Sequence, residues 1–272
     1  MSNPLDLDAY CERIGLRSVP RADERGLAEM QHAQRLAIPF ENLDIALGRG
    51  VSLDPDAVFA KLVAARRGGY CFEQNQLLLR ALEALGLAAR PLLGRVWLTA
   101  QDVPGLTHTL NLVTLGGREW IADAGFGGGD MPVMPLEADR IQRTDDGALH
   151  RLRRDPEHGW MIERDGGSGW QRQYSFTLAR VYPADLEQGN HWTATAPQSR
   201  FTRWRIVGIV LPRGRASLMD RQFTRVEAGR STEETVETAE AYRSVLADVF
   251  GIRLEAGEAD RLFAPLQEVE AA

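Results

Sequence analysis

The chain has 272 residues, 44% of them hydrophobic and 26% charged, a globular composition long enough for two or three packed units. Its formal net charge of −6 argues against a nucleic-acid partner, because proteins that bind phosphate backbones usually carry a basic surface. Two cysteines cannot form a disulfide framework, and neither a signal peptide nor a membrane-spanning apolar run is visible, so we expect a cytoplasmic protein without membrane association.

Residues 1–86 are predicted to form a helical domain. Two segments, DLDAYCERIGL and ERGLAEMQHAQRLAI, keep apolar residues at helical spacing behind capping residues, and Pro39 breaks the second pattern. A third, DPDAVFAKLVAARRGG, opens with Asp and Pro, carries Val58, Leu62 and Val63 on one stripe, and is predicted to stop at its glycine pair.

After residue 86 the pattern changes to short β-type runs that are separated by glycine-rich turns. The runs are ARPLLGRVWLTA, THTLNLVTL, REWIADAGF, HRLRRDPEHGWMIER and WQRQYSFTL. They predict a β-barrel or a strongly twisted sheet over residues 87–185.

The last part, residues 186–272, mixes strands and helices. A buried strand is predicted in RWRIVGIVLP, further strand and turn in RASLMDRQFTRVEAG, and a helix with a glycine stop in TAEAYRSVLADVFGIRL. The acidic segment STEETVETAE is most simply a solvated helix start, and SRFTRWR is interpreted as alternating strand surface. The predicted fold class is therefore α+β with several domains.

One cysteine has an unusual position. In RRGGYCFEQNQLLLRALEALG, Leu78, Leu82 and Leu85 recur at helical spacing, so a helix is predicted to begin at or near Cys71. The free N–H groups and the dipole of a helix N-terminus favour the nucleophilic thiolate. Free cysteines more often serve as small buried hydrophobes, a role we assign to Cys11 and which stays open for Cys71 on position alone.

A predicted hairpin supplies a base and an orienting carboxylate. If Gly116 and Gly117 form a two-residue turn, Leu110 faces Asp123 across the strands. His108 shares a face with Leu110, so Asp123 lies diagonal to His108 at a Cα separation of about 7–8 Å. An imidazole and a carboxylate can hydrogen-bond across that gap, which makes Cys, His and Asp a plausible nucleophile, base and orienter. The remaining histidines are better explained as surface or satisfied core residues: His32, His150, His158 and His191.

These motifs resemble the arylamine N-acetyltransferase family. RRGGYCFEQN is similar to the family's nucleophile motif, and IPFENLDI, HTLNLV and ADAGFGGG recur in the family's order at similar spacing. APQSRFT and FGI also match family features, so the resemblance covers nearly the whole chain. It implies a cysteine-protease-like core made of an N-terminal helical bundle, a β-barrel and a C-terminal α/β lid, with a catalytic triad of Cys71, His108 and Asp123.

The resemblance also implies the substrates. Acetyl-CoA would be the co-substrate, and a small aromatic amine or hydrazine would be the acceptor. No tightly bound cofactor and no metal are expected, and a homo-oligomer is left open. Residues implied in substrate or CoA contacts are Phe40, Gly105, Thr107, Gly125, Phe126, Gly127 and Phe201. The three phenylalanines could instead serve in core packing. The glycine-rich loop could be a plain wide turn, and SRFTRWR could bind CoA phosphates. GFGGGD is not a dinucleotide-binding loop, since prolines follow where such a loop needs a helix.

Other functions were weighed against this one. The second hypothesis is a hydrolase, a papain-like or transglutaminase-like peptidase. Papain-type enzymes place their histidine about 130–150 residues after the cysteine and pair it with Asn, whereas His108 follows Cys71 much sooner and its partner is Asp123. An amide synthase of macrolactam biosynthesis shares the fold and triad but uses a carrier-bound acyl chain. A non-enzymatic binding protein would be marked by an inert Cys71.

Overall fold

The computed structural model describes residues 5–98 and 100–268, so the ends of the first and third predicted units, 1–4 and 269–272, lie outside it. Helices fill the N-terminal part as predicted. Their bounds are Leu7–Arg13 (α1), Glu24–Ala37 (α2), Leu43–Ala46 (α3), Pro55–Phe59 (α4) and Cys71–Ala84 (α5), with a two-residue strand, β1, at Phe40–Glu41. Aspartates cap α1, α2 and α4, because each side chain accepts a backbone N–H of the first turn.

The third predicted helix ends differently from the prediction. Helix α4 continues as a π-helical segment over Ala60–Ala64, and the left-handed residue after it is Arg66, with φ 52°, rather than a glycine. Gly68 and Gly69 serve close packing instead. A Cβ on Gly68 would lie 2.3 Å from the carbonyl oxygen of Pro39, so the chain leading to α5 packs directly on the IPFEN segment.

An eight-stranded antiparallel sheet forms the barrel-like middle of the molecule. Its strands are Ala88–Val96 (β2), Leu106–Leu115 (β3), Arg118–Ala122 (β4), Met134–Pro135 (β5), Gln142–Arg143 (β6), Leu149–Asp155 (β7), Gly159–Asp165 (β8) and Trp170–Phe176 (β9). They are ordered β5-β4-β3-β2-β9-β8-β7-β6. All eight strands fall within the range predicted for the barrel.

Strand β3 is buried on both faces, because the barrel covers one face and the N-terminal helices cover the other. Leu110 and Leu112 pack inside the barrel with Tyr174, while Val113 packs with Leu78 of α5. Side chains at even-numbered positions of β3 therefore point into the barrel. His108 is at such a position, so its side chain points the same way.

The predicted β3–β4 hairpin is confirmed. Leu115 pairs with Arg118, as the two-residue loop requires. Both loop residues have positive φ, 58° at Gly116 and 77° at Gly117, which fits a type I′ turn. The paired strands end one residue before Asp123, so Asp123 begins the loop that follows β4.

The C-terminal part contains a second sheet, two helices packed on it, and two helices that precede it. The elements are Pro183–Thr195 (α6), Arg200–Arg203 (α7), Ile206–Leu211 (β10), Gly214–Met219 (β11), Gln222–Glu227 (β12), Arg230–Thr235 (β13), Ala239–Phe250 (α8) and Ala256–Glu268 (α9). The sheet order is β1-β10-β11-β12-β13. Tyr242, Leu246 and Phe250 of α8 pack on this sheet, and Gly251 ends the helix as predicted, with φ 68°.

Two predictions for this part were wrong. Residues 231–235 of the acidic segment lie in the exposed edge strand β13, and only its last residues form the helix start, where the Thr238 side chain caps the helix that begins at Ala239. The arginine-rich segment forms the short helix α7, capped by Ser199, rather than a strand. The predicted boundary at 185/186 falls inside α6, and the division into three domains stays a prediction. Within residues 5–98 and 100–268, no helix is both long and apolar enough to cross a membrane.

Candidate active site

Cys71 is the first residue of α5, as the sequence predicted. Tyr70 precedes it in an extended conformation, and the Glu73 carboxylate accepts the backbone N–H of Tyr70 at 3.0 Å. This bond turns the chain into the helix, and the dipole of α5 then acts on the Cys71 side chain. The thiol is nearly enclosed, with only 3% of the residue exposed, and lies 3.8 Å from the carbonyl oxygen of Thr107.

His108 and Asp123 lie together where the hairpin register predicted them. The distance between His108 Nε2 and Asp123 Oδ2 is 2.7 Å, and both side chains are buried. The Cys71 thiol lies close enough to the same imidazole to help raise its pKa. The structure thus brings all three predicted residues into one chain of contacts, in the order thiol, imidazole, carboxylate.

Further groups hold the Asp123 carboxylate. Oδ1 accepts hydrogen bonds from Asn75 Nδ2 at 2.8 Å and from the amides of Gly125 and Phe126 at 2.9 and 3.0 Å, while Oδ2 also accepts the Tyr174 hydroxyl at 2.6 Å. The roles of Asn75 and Tyr174 were missed from the sequence. The motif spacing around Cys71 placed Asn75 one turn along α5 and could have flagged it, whereas nothing local marks Tyr174.

The surroundings stabilise a positive charge on the imidazole and a negative charge on the carboxylate. Burial opposes the charge on His108, but the Asp123 carboxylate outweighs burial and, with its hydrogen bond, raises the His108 pKa to about 10. Burial likewise opposes the charge on Asp123, but His108, Tyr174 and Asn75 lower its pKa to about 2. At neutral pH the pair is therefore a carboxylate beside an imidazolium, the partner that a cysteine thiolate needs.

The glycine-rich loop packs against the nucleophile. A Cβ on Gly125 would lie 2.8 Å from Cys71 Cα and 2.7 Å from Asn75 Nδ2, so Gly125 allows close approach of the loop and α5. The Phe126 ring lies edge-on to His108, with centroids 5.2 Å apart. A Cβ on Gly127 would contact the Phe40 ring at 3.5 Å, so the loop continues from the triad to Phe40.

The remaining predicted binding residues form two groups. Phe201 contacts Phe40 and Tyr70, with ring centroids 5.9 and 5.6 Å away, and packs in the cluster that contains Cys71. Gly105 and Thr107 line a cavity of about 430 Å³ between β3 and α6, and the Thr107 carbonyl oxygen lies 3.8 Å from the Cys71 thiol.

The second cysteine and the other histidines lie apart from this chain of contacts. Burial raises the pKa of the Cys11 thiol, which keeps it protonated in the helical core. Burial also lowers the His150 pKa to about 4, and His158 stacks on Trp97 at 4.7 Å. In the part of the chain that the structure describes, no cluster of His, Cys, Asp and Glu could hold a metal ion.

Comparison with known proteins identifies the family. Residues 25–259 match a family described as N-acetyltransferase. Arylamine N-acetyltransferase of Escherichia coli (strain K12) is 36% identical over 254 residues, which cover 92% of this chain and 89% of that protein. The chain belongs to the arylamine N-acetyltransferase family.

Solved arylamine N-acetyltransferases share the fold. The Salmonella typhimurium structure is 34% identical and covers 95% of this chain and 98% of its own, with a TM-score of 0.90. A Mycobacterium marinum arylamine N-acetyltransferase in complex with CoA gives a TM-score of 0.89 at 34% identity, covering 97% and 99% of the two chains. The predicted α+β fold class of this family is thereby confirmed, with helices and a barrel-like eight-stranded sheet.

Proposed function

We propose that this protein transfers the acetyl group of acetyl-CoA to the nitrogen of arylamines or arylhydrazines, through an acetyl-Cys71 intermediate in a ping-pong cycle. The buried chain of contacts from the Cys71 thiol through His108 to Asp123 carries the proposal. Membership of an acetyltransferase family supports acetyl transfer, and a CoA complex of a relative supports acetyl-CoA as the donor. No step needs a tightly bound cofactor.

In the first half-reaction Cys71 acts as the nucleophile. In the resting pair His108 already holds the thiol proton as an imidazolium, and the Cys71 thiolate attacks the carbonyl carbon of the acetyl-CoA thioester. The tetrahedral intermediate collapses by breaking the bond between that carbon and the CoA sulfur. His108 returns its proton to the departing sulfur, so CoA leaves as a thiol and Cys71 carries the acetyl group.

The second half-reaction regenerates the thiol. The lone pair of a neutral amine or hydrazine nitrogen attacks the acetyl carbon of acetyl-Cys71, and His108 accepts a proton from that nitrogen. The carbon–sulfur bond to Cys71 breaks, which releases the acetylated product and restores the thiolate–imidazolium pair. Arylamines suit this step because they are weak bases and stay neutral and nucleophilic at pH 7.

The tetrahedral oxyanion needs hydrogen-bond donors near the reacting carbon. As the first residue of α5, Cys71 has a backbone N–H with no acceptor inside the helix, and this group lies beside its own Sγ. The N-terminal dipole of α5 adds positive potential at the same place. We assign the oxyanion site to this N-terminus.

The proposed walls of the substrate site are formed by residues around the thiol. Phe40 and Phe201 form an aromatic wall over the Cys71 cluster, and Phe126 faces the imidazole. Gly105 and Thr107 line the cavity beside β3, and the loop containing Gly125 and Gly127 completes the wall next to the triad. We assign these residues to acceptor and CoA contacts. Both cysteines are free thiols, which fits the proposed cytoplasmic location.

Isotope exchange tests the cycle directly. The enzyme is incubated with acetyl-CoA and isotopically labelled CoA in the absence of any amine. A ping-pong cycle through acetyl-Cys71 predicts that label enters the acetyl-CoA pool without an acceptor, and that double-reciprocal plots with an arylamine are parallel. Exchange that appears only when an amine is present would contradict the proposal.

A further inference from the structure

One face of helix α2 packs against the loop 123–130, which follows β4 and carries Asp123. Gln31 and Arg35 lie one turn apart on that face, with only 1% and 4% of each residue exposed. Both side chains hydrogen-bond to backbone groups of this loop, not to the thiol or the imidazole. We call this pair the α2 clasp.

The α2 clasp binds both backbone groups of Asp123. Gln31 Oε1 accepts the Asp123 N–H at 2.7 Å, and Arg35 Nη1 donates to the Asp123 carbonyl oxygen at 3.2 Å. Gln31 Nε2 also donates to the Met131 carbonyl oxygen at 2.7 Å, where the loop ends. The backbone on both sides of the Asp123 side chain is thus fixed by one rigid helix.

Arg35 reaches further along the loop. Its Nη2 donates to the carbonyl oxygens of Phe126 and Gly129 at 3.0 and 2.5 Å, and its Nε lies 3.4 Å from Asp130 Oδ1. A guanidinium can gather several oxygens at once because its donors point in fixed, divergent directions. With these carbonyls held behind the loop, the amides of Gly125 and Phe126 point at the Asp123 carboxylate.

We infer that Arg35 is a positioning residue for the proposed acetyl transfer: by clamping the loop 123–130 it fixes the Asp123 carboxylate, and through it the His108 imidazole. This inference rests on the proposed function. Arg35 itself touches neither substrate nor the reacting atoms. The charged or titratable groups around the two ends of this link are His108 and Tyr174 at the Asp123 carboxylate, with Cys71 beside the imidazole, and Asp130, His32 and His150 around the guanidinium.

The chain offers a matched control for a buried arginine that only stabilises the fold. Arg13 of α1 is also buried, and it donates to the carbonyl oxygens of Leu62 and Ala37, both at 2.8 Å. None of its acceptors belongs to the 123–130 loop. Replacing either arginine by lysine keeps the charge but loses the divergent donors, so both variants should lose stability. Only Arg35→Lys should also alter the triad.

The test compares Arg35→Lys, Arg35→Gln and Arg13→Lys by the rate of Cys71 alkylation with iodoacetamide across a pH series. We expect both Arg35 variants to react about tenfold more slowly than wild type near pH 6, with the profile moved to higher pH, because small misplacements of a catalytic group are costly. Arg13→Lys should melt at lower temperature with an unchanged profile. Unfolded molecules would expose Cys71 as an ordinary thiol and would expose the buried Cys11 as well, so an unchanged labelling rate of Cys11 in the variants shows that unfolding does not cause the shift.

Methylguanidinium gives a second readout on Arg35→Ala. Added guanidinium should restore part of the wild-type profile in that variant and do nothing for Arg13→Ala. Wild-type profiles in all Arg35 variants, with only melting temperature changed, would overturn the inference. Failure of the proposed function is a separate result, since it would show as wild-type enzyme that gains no acetyl group from acetyl-CoA.

Discussion

Asp123 keeps its charge in a buried site because its carboxylate is surrounded by donors. Two loop amides, Asn75 and Tyr174 donate to it in addition to His108. An anion so well solvated by the protein holds the imidazole in one orientation and supports its positive charge. The chemistry proposed for Cys71 therefore depends on a residue that never touches the substrate.

Replacing this carboxylate by an amide should alter both activity and the pH dependence of stability. In Asp123→Asn we expect transfer to fall by orders of magnitude, because the amide can favour the wrong imidazole tautomer and removes the opposing charge. The lowered pKa of Asp123, about 2 against 3.8, gives stability that is present above pH 3.8 and lost as pH falls towards 2. The raised pKa of His108, about 10 against 6.5, gives stability that is present below pH 6.5 and lost as pH rises through 10.

Urea unfolding at a series of pH values measures this dependence. The difference in unfolding free energy between wild type and Asp123→Asn should be largest between about pH 4 and pH 6.5 and shrink on either side. A difference that stays constant from pH 4 to about pH 10 would show that the ion pair does not form.

The histidine itself should control the reactivity of the thiol. Near pH 6, iodoacetamide is expected to label Cys71 much faster than Cys11, and His108→Ala should slow the labelling of Cys71 sharply, because the imidazolium that stabilises the thiolate is gone. Both cysteines are 3% exposed, so Cys11 controls for burial. Equal labelling rates of Cys71 in wild type and His108→Ala, read by peptide mass spectrometry, would show that His108 does not activate Cys71.

The proximity of the three proposed catalytic residues could be predicted from sequence, but their supporting residues could not. Cys71, His108 and Asp123 are marked by local signals, namely a helix start and a two-glycine hairpin whose register fixes which residues face each other. Tyr174 and Arg35 reach Asp123 across 51 and 88 residues of chain, and nothing local indicates those contacts. Such contacts depend on how α2 and the barrel pack, which no spacing rule supplies.

At the scale of elements, the site is formed where a helix N-terminus, a strand and a loop meet. Helix α5 packs across β2 and β3, which brings Cys71 to the end of the strand that carries His108. The loop after β4 then packs on α5 through Gly125 without an intervening side chain. Each element contributes one triad residue, so the geometry depends on their close contact.

A methyl group at that contact should separate the elements. In Gly125→Ala the new Cβ would lie within 3 Å of the Cys71 backbone and of Asn75, and we expect a loss of about 1–3 kcal/mol in unfolding free energy, as for other overpacked sites, with a larger loss of activity. Gly257→Ala in α9 is the control, because a Cβ there meets nothing within 4 Å and alanine favours helix. A Gly125→Ala enzyme as stable and active as the control would contradict close packing at this position.

The misassigned elements show where local patterns fail. The segment that forms β13 is rich in Glu, which favours helix over strand, yet it pairs along its length with β12 as an exposed edge strand. The arginine-rich segment alternates like a strand, but Ser199 caps it as a helix and Asn42 binds its carbonyls. In both cases a tertiary partner outweighs intrinsic preference.

At the scale of the whole molecule, the N-terminal segment ties the C-terminal sheet to the active site. Strand β1 adds Phe40 and Glu41 to the edge of β10, within the IPFEN motif that also packs on Gly68. Asn42 continues this link. Its side chain donates to the carbonyl oxygens of Phe201 and Trp204 at 2.8 and 2.7 Å and accepts the Ile206 N–H at 2.7 Å.

Removing the Asn42 side chain should loosen the contact between Phe40 and Phe201 and leave the triad unchanged. Asn42→Ala removes the partners of three part-buried backbone groups, and we expect a loss of about 1–2 kcal/mol in unfolding free energy. The KM values for acetyl-CoA and the arylamine should rise because Phe201 is no longer held against Phe40, while the pH profile of Cys71 alkylation stays as in wild type. An unchanged unfolding free energy and KM, from urea unfolding and steady-state rates, would show that Asn42 is not the link.

The central claim is that Cys71 carries the acetyl group, and intact-protein mass spectrometry after incubation with acetyl-CoA alone tests it most directly. Wild type should gain the mass of one acetyl group, localised by peptide mapping to Cys71 and lost when an arylamine is added. Cys71→Ser should gain none on this time scale, because its hydroxyl is far less nucleophilic, while Cys11→Ser should behave as wild type. A wild-type protein that gains no acetyl group, or gains it at another residue, would contradict the account.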